Sequence, residues 1–137
     1  MIIEIYDSQT LNEISNLFNN IYPFLKIEFY KKPHLWQEES SISNQLDPNL
    51  TVSEISKKKN HTGYMEIHFW QKTGVIERYL KNRFGLNAQI FRLHGDEWVQ
   101  TVGTDELTLE EQNEIGRNAT YNFIHGNDLQ FEKEKYM

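Results

Sequence analysis

The chain predicts an α+β fold, and three observations carry that prediction. Strand-type and helix-type apolar periods alternate along its 137 residues. Their order is strand, helix, strand, connector, strand, helix, strand, strand. Capping boxes stand where three helices should begin, at Thr10/Glu13, Thr51/Glu54 and Thr108/Glu111. With right-handed crossovers and both main helices on one face, this order leads to a ferredoxin-like sandwich carrying an extra hairpin strand and a C-terminal helix; a β-grasp arrangement of the second unit is the alternative.

Taken in order, Ile2, Ile3 and Ile5 with Tyr6 form a short apolar run closed by Asp7 and Ser8, which reads as a buried strand. Thr10 and Glu13 then start a helix, since each side chain satisfies the other's free backbone N–H. Leu11, Ile14, Leu17, Phe18, Ile21 and Tyr22 follow at steps of three and four, so all six share one face, and Pro23 stops the helix. Beyond it Leu25, Ile27 and Phe29 alternate with Lys26, Glu28 and Tyr30, as in a strand with one face on the core.

Residues 33–62 form a connector rich in Ser, Asn and charge. A structureless loop of that length is unusual inside a compact domain, so part of it should fold: Thr51 and Glu54 predict a short helix over Val52 and Ile55, with Leu35 and Trp36 as anchors. Met65, Ile67 and Phe69 predict the next strand. Thr73 can cap a helix burying Val75, Ile76, Tyr79, Leu80 and Phe84, with Gly85 as its left-handed C-terminal residue. Leu86, Ala88 and Ile90 alternate as a strand that turns at His94–Glu97 and returns through Trp98, read as core, to Thr101. Thr108 begins a last helix over 109–124, with Ile115, Ala119 and Phe123 inward and Gly126 as its end. A single domain over 1–126 and a flexible polar tail at 127–137 complete the expectation.

The two strand-helix-strand units match each other. Ile5 and Ile67, Ile14 and Ile76, Phe18 and Leu80, and Tyr22 and Phe84 are each 62 residues apart. After the helix the offset becomes 61, relating Leu25 to Leu86, Ile27 to Ala88 and Phe29 to Ile90. If the shared core is scaffold, function belongs to what looks unique: the connector, the Gly95 hairpin and the segment Thr104–Asn113.

Composition narrows the class. With 20 acidic and 14 basic residues the formal charge is −6, which disfavours general nucleic-acid binding. The absence of cysteine removes disulfides, thiolate metal sites and cysteine nucleophiles. The first residues carry no basic region or long apolar run of a signal peptide, and no window is apolar enough to span a bilayer, so a cytoplasmic protein without a membrane partner is expected.

The segments IYPFLKIEFYKKPH (21–34), FGLNAQIFRLHGDEW (84–98) and TDELTLEEQN (104–113) resemble a family of small proteins found mostly in Bacteroidetes, for which no activity is established. The resemblance spans most of residues 1–115. It implies architecture and contributes no chemistry.

Candidate chemistry is sparse. The histidines at 34, 61, 68, 94 and 125 show no paired ligand spacing, so no metal or other cofactor is expected; whether His34 and His61 approach each other is open. Lys31 and Lys32 precede the connector, and Lys57, Lys58 and Lys59 end it. If those ends meet, they make a basic spot suited to a phosphate or an acidic partner; otherwise they blunt a strand edge. Arg92 and Trp98 near the hairpin, with Thr104, Asp105, Gln112 and Asn113 after it, would serve acid-base chemistry only if a cleft gathers them. Asp96 and Glu97 read as turn residues. No phosphate loop or nucleophile elbow is present. The expected function is a non-catalytic module with a protein partner, a homo-oligomer being open; the alternative is a small enzyme or anion-binding protein using the lysine-rich ends or the Arg92/Trp98 hairpin.

Overall fold

The computed structural model describes residues 1–34, 40–101 and 103–136. The elements are β1 (Ile2–Ile5), α1 (Leu11–Ile21), β2 (Leu25–Tyr30), a 3-10 turn (Ile42–Asn44), α2 (Val52–Ile55), β3 (Gly63–Glu66), α3 (Thr73–Tyr79) continued by a π-helical turn (Leu80–Phe84), β4 (Asn87–His94), β5 (Glu97–Gln100) and α4 (Leu109–Tyr136). The fold is α+β. Its strands form two antiparallel sheets, β1–β3 and β2–β4–β5, rather than the single sheet of a ferredoxin-like sandwich.

Register explains the division. Ile3 lies opposite Met65, its equivalent 62 residues on, and Glu28 lies opposite Gln89, its equivalent at 61. An antiparallel ladder centred on equivalent residues means that a two-fold relation links the copies. Each strand of the first unit therefore pairs with its counterpart in the second.

The same relation reaches into the connector. Ahead of α1, the Leu11 N–H donates to the Leu50 carbonyl and the Val52 N–H to the Gln9 carbonyl, both at 2.9 Å. Ahead of α3, Thr73 donates to Leu107 at 3.1 Å and Leu109 to Gln71 at 2.9 Å, the same pattern with Leu50 and Leu107 offset by 57. Leu50-Thr51-x-x-Glu54 recurs as Leu107-Thr108-x-x-Glu111. The end of the connector and the entry to α4 are thus copies of one motif, which corrects the expectation that both are unique. Even β5 has a reduced counterpart: Thr101 donates to the Ile90 carbonyl at 3.1 Å as Leu46 does to Phe29 at 2.8 Å, beside a lone bridge from Tyr30 to Gln45.

One core cluster, including Ile3, Ile5, Ile14, Phe18, Ile27, Met65, Ile76, Phe84 and Ile90, lies between these elements. All three threonines cap their helices, with the Glu13, Glu54 and Glu111 N–H groups donating to Thr10, Thr51 and Thr108. At Thr108 the box closes, its N–H donating to Glu111 Oε1 at 3.1 Å, whereas Glu13 accepts from the Tyr6 hydroxyl and Glu54 from the Thr51 hydroxyl. Gly85 (φ +71°) and Gly95 (φ +74°) take the left-handed conformation that the helix end and hairpin require.

Several expectations change. Thr73 is not a cap but the first residue of α3; its hydroxyl donates to the Asp105 carbonyl at 3.4 Å, and Lys72 takes the N-cap position. Leu17, Ile21, Val75 and Tyr79 flank the buried stripe and stand in water, as does Phe69, because β3 ends at Glu66. The helix α4 continues past Gly126, and it buries Leu109, Gln112, Gly116 and Thr120 while Ile115 and Phe123 are exposed. Leu35 and Trp36 lie outside the described residues.

Candidate functional site

Each copy carries a groove between its helix and the following strand, and sequence has filled the two differently. In the first, Asn12, Asn16 and Asn19 of α1 face Lys26 and Ile27, with Trp98 alongside. Here the Ser15 hydroxyl donates to the Ile27 carbonyl at 2.6 Å, and Lys26 Nζ lies 5.0 Å from the Trp98 ring centre. Trp98 is therefore a half-buried groove wall rather than core.

In the second, the positions equivalent to Asn16 and Asn19 are Arg78 and Lys81, and Ser15 is replaced by Glu77. The Ile90 N–H donates to Glu77 Oε2 at 2.7 Å, while Oε1 lies 3.7 Å from His34 Nε2. Burial pushes the Glu77 carboxyl up to about 8; the nearby Asp105 charge adds to this and the Ile90 N–H opposes it. Glu77 is accordingly protonated at neutral pH. His34 Nε2 also lies 3.2 Å from the Ala88 carbonyl.

Asn87 also lines an adjoining, larger cavity of about 580 Å³, whose walls include Lys31, Leu46, Glu54, Ile55, Lys57, Lys58 and Gly85. The lysine-rich ends of the connector thus meet: Lys31, Lys57 and Lys58 share one cavity, while Lys32 and Lys59 are exposed outside its lining. Asn87 Nδ2 donates to the Lys31 carbonyl at 3.2 Å, and the Glu54 carboxylate accepts from the Thr51 hydroxyl at 3.0 Å.

The two-fold relation explains why this cavity is open. Its counterpart in the second copy is the Arg92 cluster, since Arg92 is equivalent to Lys31, Gln112 to Ile55 and Asn113 to Ser56. There Arg92 Nη1 donates to Gln112 Oε1 at 2.6 Å, and Gln112 Nε2 donates to the Thr104 carbonyl and hydroxyl at 2.8 and 2.9 Å. Asn113 Oδ1 accepts from the Phe24 N–H at 3.0 Å, and burial lowers the Arg92 pKa. The long α4 fills this space; the four-residue α2 leaves its own empty.

Arg92, Thr104, Gln112 and Asn113 therefore clamp α4 to the sheet. Asp105 is buried, and its carbonyl accepts from the Gly74 N–H at 3.2 Å and the Thr73 hydroxyl. His34 and His61 hold separate partners, His61 sitting between Asp7 and the Lys58 carbonyl. Among the described residues no group of three His, Asp or Glu side chains forms a metal-holding cluster, and no helix is long and apolar enough to cross a membrane.

A second surface was not visible in the sequence. Along β1 and β3 the outward residues Ile2 and Tyr64 are 63% and 68% exposed. Grooves run from them to Leu17 on α1 and to Val75 and Tyr79 on α3, again as a two-fold pair. The charged side chains lining both grooves are Glu4, Glu13 and Glu66. Helical period alone assigns both Leu17 and its equivalent Tyr79 inward; the structure exposes both, so the rim is a feature the two copies share. Compared with known protein families, curated proteins and solved structures, the chain matches none.

Proposed function

We propose that the protein is a non-catalytic interaction module that docks a basic protein surface on the outer face of β1 and β3. The carrying observation is the make-up of that face: Ile2, Leu17, Tyr64 and Tyr79 stand together in water, and Glu4, Glu13 and Glu66 around them are all acidic. Exposed apolar area of this kind gains about 25 cal/mol per Å² when a partner covers it. The acidic rim selects a basic partner and speeds its approach. The Arg92 cluster supports a non-catalytic reading, because its hydrogen bonds go to Gln112 and Thr104 of the scaffold.

A photo-crosslinker in place of Tyr64, used in the full-length chain in its native host, tests the reading. The expected result is a discrete adduct through a basic surface of another protein, at least tenfold weaker at high salt or in the exposed double variant Glu4→Lys/Glu66→Lys. Adducts indifferent to charge reversal would overturn it, as would crosslinks joining only copies of this chain.

A further inference from the structure

We propose that the two adjoining cavities that share Asn87 bind a small anion carrying two or more phosphates, independently of the protein-docking face. Lys31, Lys57 and Lys58 line one cavity and Arg78 and Lys81 the other, with Asn87 lining both. Five cationic side chains thus line the two cavities of a protein whose formal charge is −6.

Three observations raise this above a wet lysine surface. The first is pairing: Lys26, Lys72 and Arg117 each have a carboxylate partner, in Glu28, Glu106 and Glu114. Among the described residues Lys31, Lys57, Lys58 and Lys81 form no ion pair. The second is the internal comparison. The equivalent groove of the first copy is lined by the amides of Asn16 and Asn19 where this one has Arg78 and Lys81, so the fold does not demand the charge. The third is the acidic side. Glu77 is sealed in the wall, where its Oε2 accepts from the Ile90 N–H and burial raises its pKa, and among the described residues the exposed Glu54 is the single acidic one lining the lysine cavity, against three lysines.

The two-part layout points to the ligand: cations stand on both sides of Asn87, and a chain of phosphates offers each set its own anionic oxygens for charge-assisted hydrogen bonds, which a single phosphate does not. Calorimetric titration of the full-length chain with inorganic tripolyphosphate at low salt tests this. Saturable 1:1 binding is expected, at least tenfold tighter than for inorganic phosphate and weakening steeply with salt. Lys58→Ala and Lys81→Ala, which sit in different cavities, should each weaken it about tenfold with circular dichroism unchanged. Lys72→Ala, whose partner is Glu106, should leave it unchanged. Absence of saturable binding, equal affinity for phosphate and tripolyphosphate, or an equal loss in the Lys72 variant would each overturn the proposal. Binding of single-stranded RNA without tripolyphosphate would overturn it in favour of a nucleic-acid surface. Loss of the β1/β3 docking in Glu4→Lys/Glu66→Lys leaves this titration unaltered, so the two readings fail separately.

Discussion

Glu77 is the residue whose chemistry departs furthest from its ordinary form. Its carboxyl titrates near 4.5 when free and near 8 in the folded chain, where burial removes it from water. Between those values the folded state holds a proton that the unfolded state has released. Stability therefore falls as pH rises, by about 1.4 kcal/mol per pH unit at full effect, and the contribution present below pH 4.5 is gone above 8. Glu77→Gln keeps an acceptor for the Ile90 N–H and carries no titrating proton, so its urea midpoint should be flatter over this window and exceed the parent's at pH 8. His61, raised by the Lys58 carbonyl and Asp7, titrates with the same sign in both proteins, so their difference isolates Glu77. Parallel pH profiles would show that Glu77 is ionised in the folded state. No pattern in the sequence singles out Glu77; its inward place appears only in the structure, where its equivalent Ser15 also touches the strand that follows its helix.

Among elements, α4 shows most directly what local pattern can and cannot reveal. Its start was legible because a capping box is complete within four residues. Its buried face was not, since the inward positions are Gln112, Gly116 and Thr120, and no apolar period marks them. Gly116 is inward for space: a Cβ there would lie 2.9 Å from Phe24 Cβ, 3.1 Å from Arg92 Cγ and 3.1 Å from the Leu93 carbonyl oxygen. Helix propensity favours Gly116→Ala by about 1 kcal/mol, but overpacking against a backbone oxygen costs about 1–3 kcal/mol, so the variant should be less stable. Gly126 in the same helix has nothing within 4 Å of its Cβ position, and Gly126→Ala should stabilise by up to about 1 kcal/mol. Denaturant midpoints of the two variants should move in opposite directions. Movement of both upward would mean that α4 does not rest on Phe24 and Arg92 in solution. The lysine cavity belongs to this scale too: the sequence showed the lysines, while α2 being four residues where α4 is long supplied the space.

At the scale of the whole molecule, the repeat was legible and its consequence for pairing was not. Equal apolar periods say that two units share a fold, but they carry no information on which edges meet. Crossover rules lead to one sheet holding all the strands; the structure instead forms two, joining β1 to β3 through four residue pairs and β2 to β4 through six. A lone unit would expose those edges and, at about 60 residues, bury too little surface to offset the entropy of ordering it. Cutting at the exposed turn between Lys59 and Asn60 should therefore give two halves, neither of which is a folded monomer. Mixed in equal amounts they should form a one-to-one complex with the circular dichroism and cooperative unfolding of the intact chain. Sedimentation and thermal melts of each half alone and of the mixture measure this. A half that melts cooperatively as a monomer would disprove the dependence. A half that dimerises with itself would support it, because a ladder centred on Ile3 and Met65 is one in which Ile3 can face a second Ile3 with the same geometry.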